Sequence, residues 1–221
     1  MKAILLGLAV MGLAFSAQAL DKGQLNDRIN SLTAKFTAME QNPGTRVPAD
    51  ELARARGVVL LDRTGGAFFV GFHSGNGVAL ARDASGHWSP AGFVSSVGAS
   101  LGPQIGGTKD FFVVLLMSPG AVESLKQSSM DFGAQASETG GNQHAGVEGN
   151  LESRPSVVIY SQRNGLYAGA SIKGGSVKTD DDANAVYYDR AVSMDDILFN
   201  HQVAPSQAES DLVAKIEQFS Q

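Results

Sequence analysis

The sequence contains no cysteine, so it has no disulfide, thiolate metal site, cysteine nucleophile or lipid-modified N-terminal cysteine, and its stability must come from packing. Charge is also sparse. Charged residues make up 18% of the 221, and the formal balance of 17 bases and 22 acids is −5. Loss of Lys2 with a leader would make it 16 − 22 = −6. An acidic molecule repels polyanions, which speaks against nucleic acid as a partner. Tryptophan occurs once and proline seven times, against 26 glycines. That usage fits short strands joined by tight turns better than a helical bundle. Beyond the first nineteen residues no run is apolar enough to cross a bilayer. What is present is ample apolar mass, 43% of residues, which excludes disorder and collagen-like repeats and suffices for the core of one domain.

The N-terminus has the grammar of a secretory signal. Lys2 precedes an apolar stretch from Ala3 to Phe15, and Ala17-Gln18-Ala19 supplies the small-residue cleavage pattern. The stretch falls short of the ~20 residues that span a bilayer, so an anchoring helix is the poorer reading. Cleavage after Ala19 is expected, leaving a mature chain that begins at Leu20 in an extracytoplasmic compartment such as a periplasm. The expected organisation is a signal peptide over 1–19, an amphipathic helix within 20–44 and a single domain over 45–221.

Leu25, Ile29, Leu32, Phe36 and Met39 recur at spacings of four and three, so they form one helical stripe that Asn42-Pro43-Gly44 ends. A short helix is expected at Pro48 to Ala53, with Gly57 as its stop. The pattern then turns to β. Val58 to Leu61, Ala67 to Phe72 and Val78 to Ala81 read as three short strands, broken at Arg63 to Gly66 and at Ser74 to Gly77. Further strands are expected at Phe93 to Val97, Phe111 to Met117, Val157 to Tyr160 and Leu166 to Ile172, the last two joined by a hairpin at Arg163-Asn164-Gly165. A short helix follows Ser118-Pro119-Gly120, and Glu138 to Asn150 reads as a long glycine-rich loop. Short helices at Ala183 to Tyr188 and Asp195 to Phe199 precede a terminal helix with Leu212, Ile216 and Phe219 on one face. From Thr179 onward nine acids face two bases, which reads as a solvated surface. The glycines from Gly98 to Gly107 are expected to be structural, so valine at Gly102 or Gly106 should cost stability.

Few patterns carry chemistry. Gly98-Ala99-Ser100-Leu101-Gly102 has the G-x-S-x-G spacing of a nucleophile elbow, but the glycines and Pro103 that follow break the helix such an elbow needs. A hydrolase using Ser100 is therefore a distant third reading, and no catalytic residue is assigned. Thr108-Lys109 has lysine and hydroxyl in the wrong order for a phosphate loop, and no other pattern demands a cofactor. His73, His87, His144 and His201 lack metal-binding spacing. Asp180-Asp181-Asp182 with Asn184 offers hard oxygens without the ligand alternation of a calcium loop, so no metal site is assigned. Trp88, Phe68, Phe69, Phe72 and Phe93 read as core.

A series of motifs in order resembles the SYLF domain family. They are Val47-Pro48, Leu52-Ala53-Arg54-Ala55-Arg56-Gly57-Val58, Gly75-Asn76-Gly77-Val78-Ala79-Leu80-Ala81-Arg82 and Gly86-His87-Trp88-Ser89-Pro90-Ala91. Gly102-Pro103-Gln104-Ile105-Gly106-Gly107 with Asp110 follows, then Tyr160-Ser161-Gln162-Arg163-Asn164-Gly165-Leu166-Tyr167-Ala168-Gly169. Asn184, Tyr187-Tyr188, Asp196-Ile197-Leu198 and Pro205 complete the order. The resemblance implies an α+β domain of twisted antiparallel strands flanked by helices, and phospholipid binding without catalysis. Some eukaryotic members use a basic amphipathic N-terminal helix, whereas Lys22, Arg28 and Lys35 here are offset by Asp21, Asp27 and Glu40. Electrostatic attraction to an anionic surface should then be weak and lipid contact apolar. Leu25, Ile29, Leu32 and Phe36 are the candidate lipid-binding residues, with Gln104 and Lys109 as headgroup candidates. The stripe can cover the domain or acyl chains but not both at once, so docking with release on lipid contact is expected. The two leading readings are a phospholipid-binding envelope protein, peripheral on a membrane, and an envelope module that binds another protein.

Overall fold

The computed structural model describes residues 20–67, 70–101, 106–127, 129–131, 156–162, 165–166 and 175–221. Its centre is an antiparallel sheet whose strands alternate between two buried faces, and the sequence of each central strand is apolar on both for that reason. The strands are β1 (Gly57–Ala67), β2 (Val70–Ala81), β3 (Gly92–Leu101), β4 (Gly106–Leu116), β5 (Ser129–Asp131), β6 (Val157–Ser161), β7 (Gly165–Leu166) and β8 (Gly175–Thr179). They lie in the order β5-β8-β3-β2-β1-β4-β6-β7. β1 to β3 form a meander, and β4 returns to the far side of β1, which is Greek-key connectivity.

The helices are α1 (Lys22–Glu40), α2 (Ala49–Arg54), α3 (Pro119–Glu123), α4 (Asp181–Tyr187), α5 (Met194–Leu198) and α6 (Gln207–Phe219), with a 3-10 turn over Ser124–Lys126. On one face Leu60, Val78, Phe93 and Val113 pack under α1, α2, α4 and α6. On the other Leu61, Ala79, Val94 and Val114 pack under α3, the 3-10 turn and α5. The arrangement is the expected α+β domain with helices on both sides of twisted strands. Three helices begin with reciprocal capping boxes, Asp21 with Gln24, Ser193 with Asp196 and Ser206 with Glu209. Losing such a cap typically costs about 1 kcal/mol.

The breaks expected at Arg63 to Gly66 and Ser74 to Gly77 are not turns. β1 and β2 run through them, pairing Arg63 with Gly75 and Leu61 with Gly77, so three expected strands are two long ones. Glycine is needed there for close approach. A Cβ on Gly77 would lie 2.2 Å from the Leu60 carbonyl oxygen, and one on Gly75 would lie 2.7 Å from that of Asp62. Among the described glycines, positive φ occurs at Gly86, in the Asp83–His87 turn. Ser100 is no elbow, because it sits within β3 opposite Gly71 in an antiparallel ladder. Gly106 opens β4 opposite Ala67, while Gly102 lies outside the described residues.

β5 and β8 carry no clear pattern of their own and were not anticipated. The loop expected at 138–150 falls outside the described residues, as does the expected strand beyond Leu166. Phe68 and Phe69 lie outside them too. Phe93 is core, and Trp88 is partly buried with the Arg82 guanidinium over its ring at 4.4 Å.

Candidate functional site

The apolar stripe of α1 faces inward. Leu25, Ile29, Leu32, Phe36 and Met39 are buried on β1, β2 and the helices beside them, and the Phe36 ring meets that of Phe219 on α6 edge-on at 5.9 Å. The polar side of α1 is fastened as well. Lys22 pairs with Asp189 at 2.6 Å, Arg28 with Asp180 at 3.5 Å, and Lys35 with Asp62 on β1. The Tyr187 hydroxyl donates to Asn26 Oδ1 at 2.8 Å. Each basic residue of the helix is thus committed to the domain, and residues 20–44 share one core with those that follow. Each buried apolar side chain is worth about 1.5–3 kcal/mol, so undocking in water is costly unless another apolar phase receives the stripe.

Where α1 begins, a cleft of about 340 Å³ opens between α4 and α6, lined by Lys22, Tyr187, Tyr188, Arg190, Ser206 and Glu209 among others. Its groups are already engaged. Lys22 holds Asp189, and Arg190 Nη2 donates to the Gln202 carbonyl at 2.7 Å. Glu209, fully buried within the acidic C-terminal segment expected to be solvated, accepts from Ala91 N at 2.7 Å, the Tyr188 hydroxyl at 2.6 Å and Ser206 N at 2.6 Å. Asn184 is tied to β3, its Oδ1 accepting from Phe93 N at 2.8 Å. Burial above all, with Glu209 adding to it, holds the Tyr188 hydroxyl far above its ordinary range, and burial pushes Tyr187 to about 12. Neither phenol ionises near neutral pH. The cleft is a seam that locks α4, α6 and β3 together and holds no nucleophile with its base.

Lys109 is exposed on β4, opposite Thr64, on the α1 side of the sheet and one row beyond the Lys35–Asp62 pair. Exposed Val97 stands in the same row three strands away, on β3. Gln104 lies outside the described residues, so the structure does not join it to Lys109. The four apolar candidates are brought together, but as core. Asp180 caps α4 by accepting from Ala183 N and pairs with Arg28, which gives the aspartate turn a structural task. Among the described residues no three His, Asp or Glu side chains converge on a common metal position, and no helix is long and apolar enough to cross a membrane. Sequence reasoning missed the buried acids. The Ser206-x-x-Glu209 spacing signals a capping box, but nothing local shows that Glu209 also anchors Ala91, or that Glu40 is buried.

Comparison with known proteins sets this geometry among relatives. Residues 97–219 match the family described as Ysc84, Las17-binding protein actin regulator. SH3 domain-containing YSC84-like protein 1 of Homo sapiens is 29% identical over 182 residues, covering 81% of this chain and 53% of that protein. Its Mus musculus counterpart is 30% identical over the same length and coverage. LAS seventeen-binding protein 3 of Saccharomyces cerevisiae is 28% identical over 147 residues, 64% of this chain and 32% of that protein. The chain therefore spans about half the length, or less, of these curated relatives. The yeast relative is named as a binding protein, and none of these names is that of an enzyme. No solved structure matches the chain.

Proposed function

Because the chain belongs to the Ysc84 (SYLF) family, we propose that it is a non-catalytic phospholipid-binding protein of a bacterial envelope, secreted by residues 1–19, in which α1 exchanges its own domain for acyl chains. The observation that carries this reading is the double fastening of α1. Its apolar stripe fits either a protein core or a bilayer, and its polar face is held by separate ion pairs, Lys22–Asp189 and Lys35–Asp62 exposed or partly exposed and Arg28–Asp180 largely buried but long at 3.5 Å. Headgroup contact at Gln104 and Lys109 belongs to the same proposal. The test is flotation of the purified mature protein with phospholipid vesicles, together with mass spectrometry for co-purified lipid. Flotation or retained lipid is expected, and the absence of both overturns the reading.

The ion pairs supply a second expected result. Such pairs are worth about 0.2–1 kcal/mol each, so Arg28→Gln together with Lys35→Gln should favour undocking roughly two- to thirty-fold. Vesicle binding at low salt should therefore rise. A fall would mean that these bases themselves grip anionic lipid. The relatives' names favour a second reading, a protein-interaction module. Pulled-down partners that survive delipidation would support it.

A further inference from the structure

Glu40 is the last residue of α1 and is only 7% exposed, a carboxyl placed where the partial negative charge of the helix gathers. No basic residue occupies the last turn to offset it. Its Oε1 accepts a hydrogen bond from Val47 N at 3.2 Å, which ties the helix end to the segment leading into α2. That segment is itself packed, with Thr45 and Val47 buried and the Thr45 hydroxyl donating to the Met39 carbonyl at 3.2 Å.

The charged and titratable groups on this side are Arg46 from the connecting segment, Asp50 and Glu51 from α2, and Tyr160 from β6. Tyr160 gives its hydroxyl hydrogen to Glu51 Oε2 at 2.7 Å, and Asp50 is paired with Arg54. Exposed Arg46 is thus the cation left to offset Glu40. Burial lifts the Glu40 carboxyl from its ordinary 4.5 to about 7, against weaker pulls from the Val47 amide and Arg46.

Resting on the reading that α1 is the element that undocks, we propose that Glu40 is a proton-operated clasp: protonated, it sits uncharged in its buried place at the negative end of α1 and leaves the last turn seated, and ionised, its charge is drawn toward water more strongly than the Val47 amide and Arg46 hold it, which favours the undocked, lipid-competent helix. The sign follows from linkage. A group whose docked form holds its proton more tightly than its free form stabilises docking fully below the free value of 4.5 and loses that effect as pH rises through about 7. Between pH 6 and pH 8 the docking equilibrium should weaken by about tenfold.

The experiment is hydrogen exchange on the lipid-free mature protein, corrected for intrinsic rates, with the Glu40 carboxyl carbon titrated by NMR. Protection of α1 amides should fall about tenfold from pH 6 to pH 8 while the central strands hold, and the carboxyl should titrate near 7. Glu40→Gln, a neutral isostere, should remove the pH dependence. A carboxyl that titrates in the ordinary carboxylate range, or α1 protection unchanged with pH in the wild type, overturns the clasp, and the titration needs no variant to fold. Flotation of the same proteins separates the two readings. Vesicle binding indifferent to pH leaves lipid binding standing without the clasp, whereas pH-dependent protection without any vesicle binding leaves the clasp and removes the lipid.

Discussion

Replacing Ile29 and Phe36 by serine should unfold the domain, and not merely detach a helix from membranes. Both side chains are 0% exposed, and Phe36 packs edge-on against Phe219. Truncating a buried isoleucine costs about 2–5 kcal/mol and a buried phenylalanine about 3–5, and each serine adds a hydroxyl that needs a partner in an apolar site. That is a large part of the roughly 5–15 kcal/mol that holds a typical domain together. Thermal melting followed by circular dichroism should show a midpoint lowered by more than about 10 °C, or no cooperative transition at all. Near-wild-type melting would mean that α1 is not part of the core, and the helix would have to be treated as a separate lipid-facing arm. The consequence for lipid assays is practical. Loss of vesicle binding in this double variant says nothing about lipid until folding has been measured, whereas the Arg28 and Lys35 variants leave the stripe intact.

The second large effect is expected at Gly77. A methyl group there would meet the Leu60 carbonyl oxygen at 2.2 Å, and that atom belongs to the paired strand's backbone, which cannot yield without breaking the β1–β2 ladder. Gly77→Ala should cost about 3 kcal/mol or more, the upper end for overpacking. Two comparisons calibrate it. Gly86 has φ +90° and open space around it, so Gly86→Ala should cost about 1–2 kcal/mol through backbone strain alone. A Cβ on Gly92 would meet Met194 Sδ at 2.1 Å, and a flexible thioether can move aside. Urea unfolding midpoints should therefore place Gly77→Ala well below the other two. A Gly77→Ala protein as stable as Gly86→Ala would contradict the close strand approach.

What was legible in the sequence follows from range. The stripe from Leu25 to Met39, the terminal helix through Leu212 and Ile216, and the helix starts at Ser118 and Ser206 depend on residues a few positions apart, and their periodicity and caps state them directly. The glycines at 75 and 77 depend on the strand opposite, and a single sequence does not distinguish a glycine that turns from one that admits a neighbouring backbone. The same holds for charge. Glu209 and Asp211 look alike on the chain, yet one is fully buried with three donors around it and the other is exposed. Of the candidate lipid residues, the stripe was recognisable and its docked state was the expectation. Its fastening to Asp62, Asp180, Tyr187 and Asp189 was not, because Asp62 is met only once the helix lies over β1, and the other three come from the far end of the chain.

That fastening also sets when the molecule can be completed. Lys22 and Asp189 are 167 residues apart, Asn26 and Tyr187 161, and Arg28 and Asp180 152. Closing a loop of this size carries a chain-entropy cost on the order of 4–5 kcal/mol, which no single one of these contacts repays. They must form together, after the sheet has brought the two ends near. A chain emerging N-terminus first presents the longest of the described helices, with its whole apolar stripe, at the outset and receives the far-end partners for it last. Through synthesis and any passage across a membrane, the stripe of α1 is a surface that needs a temporary cover until those partners arrive.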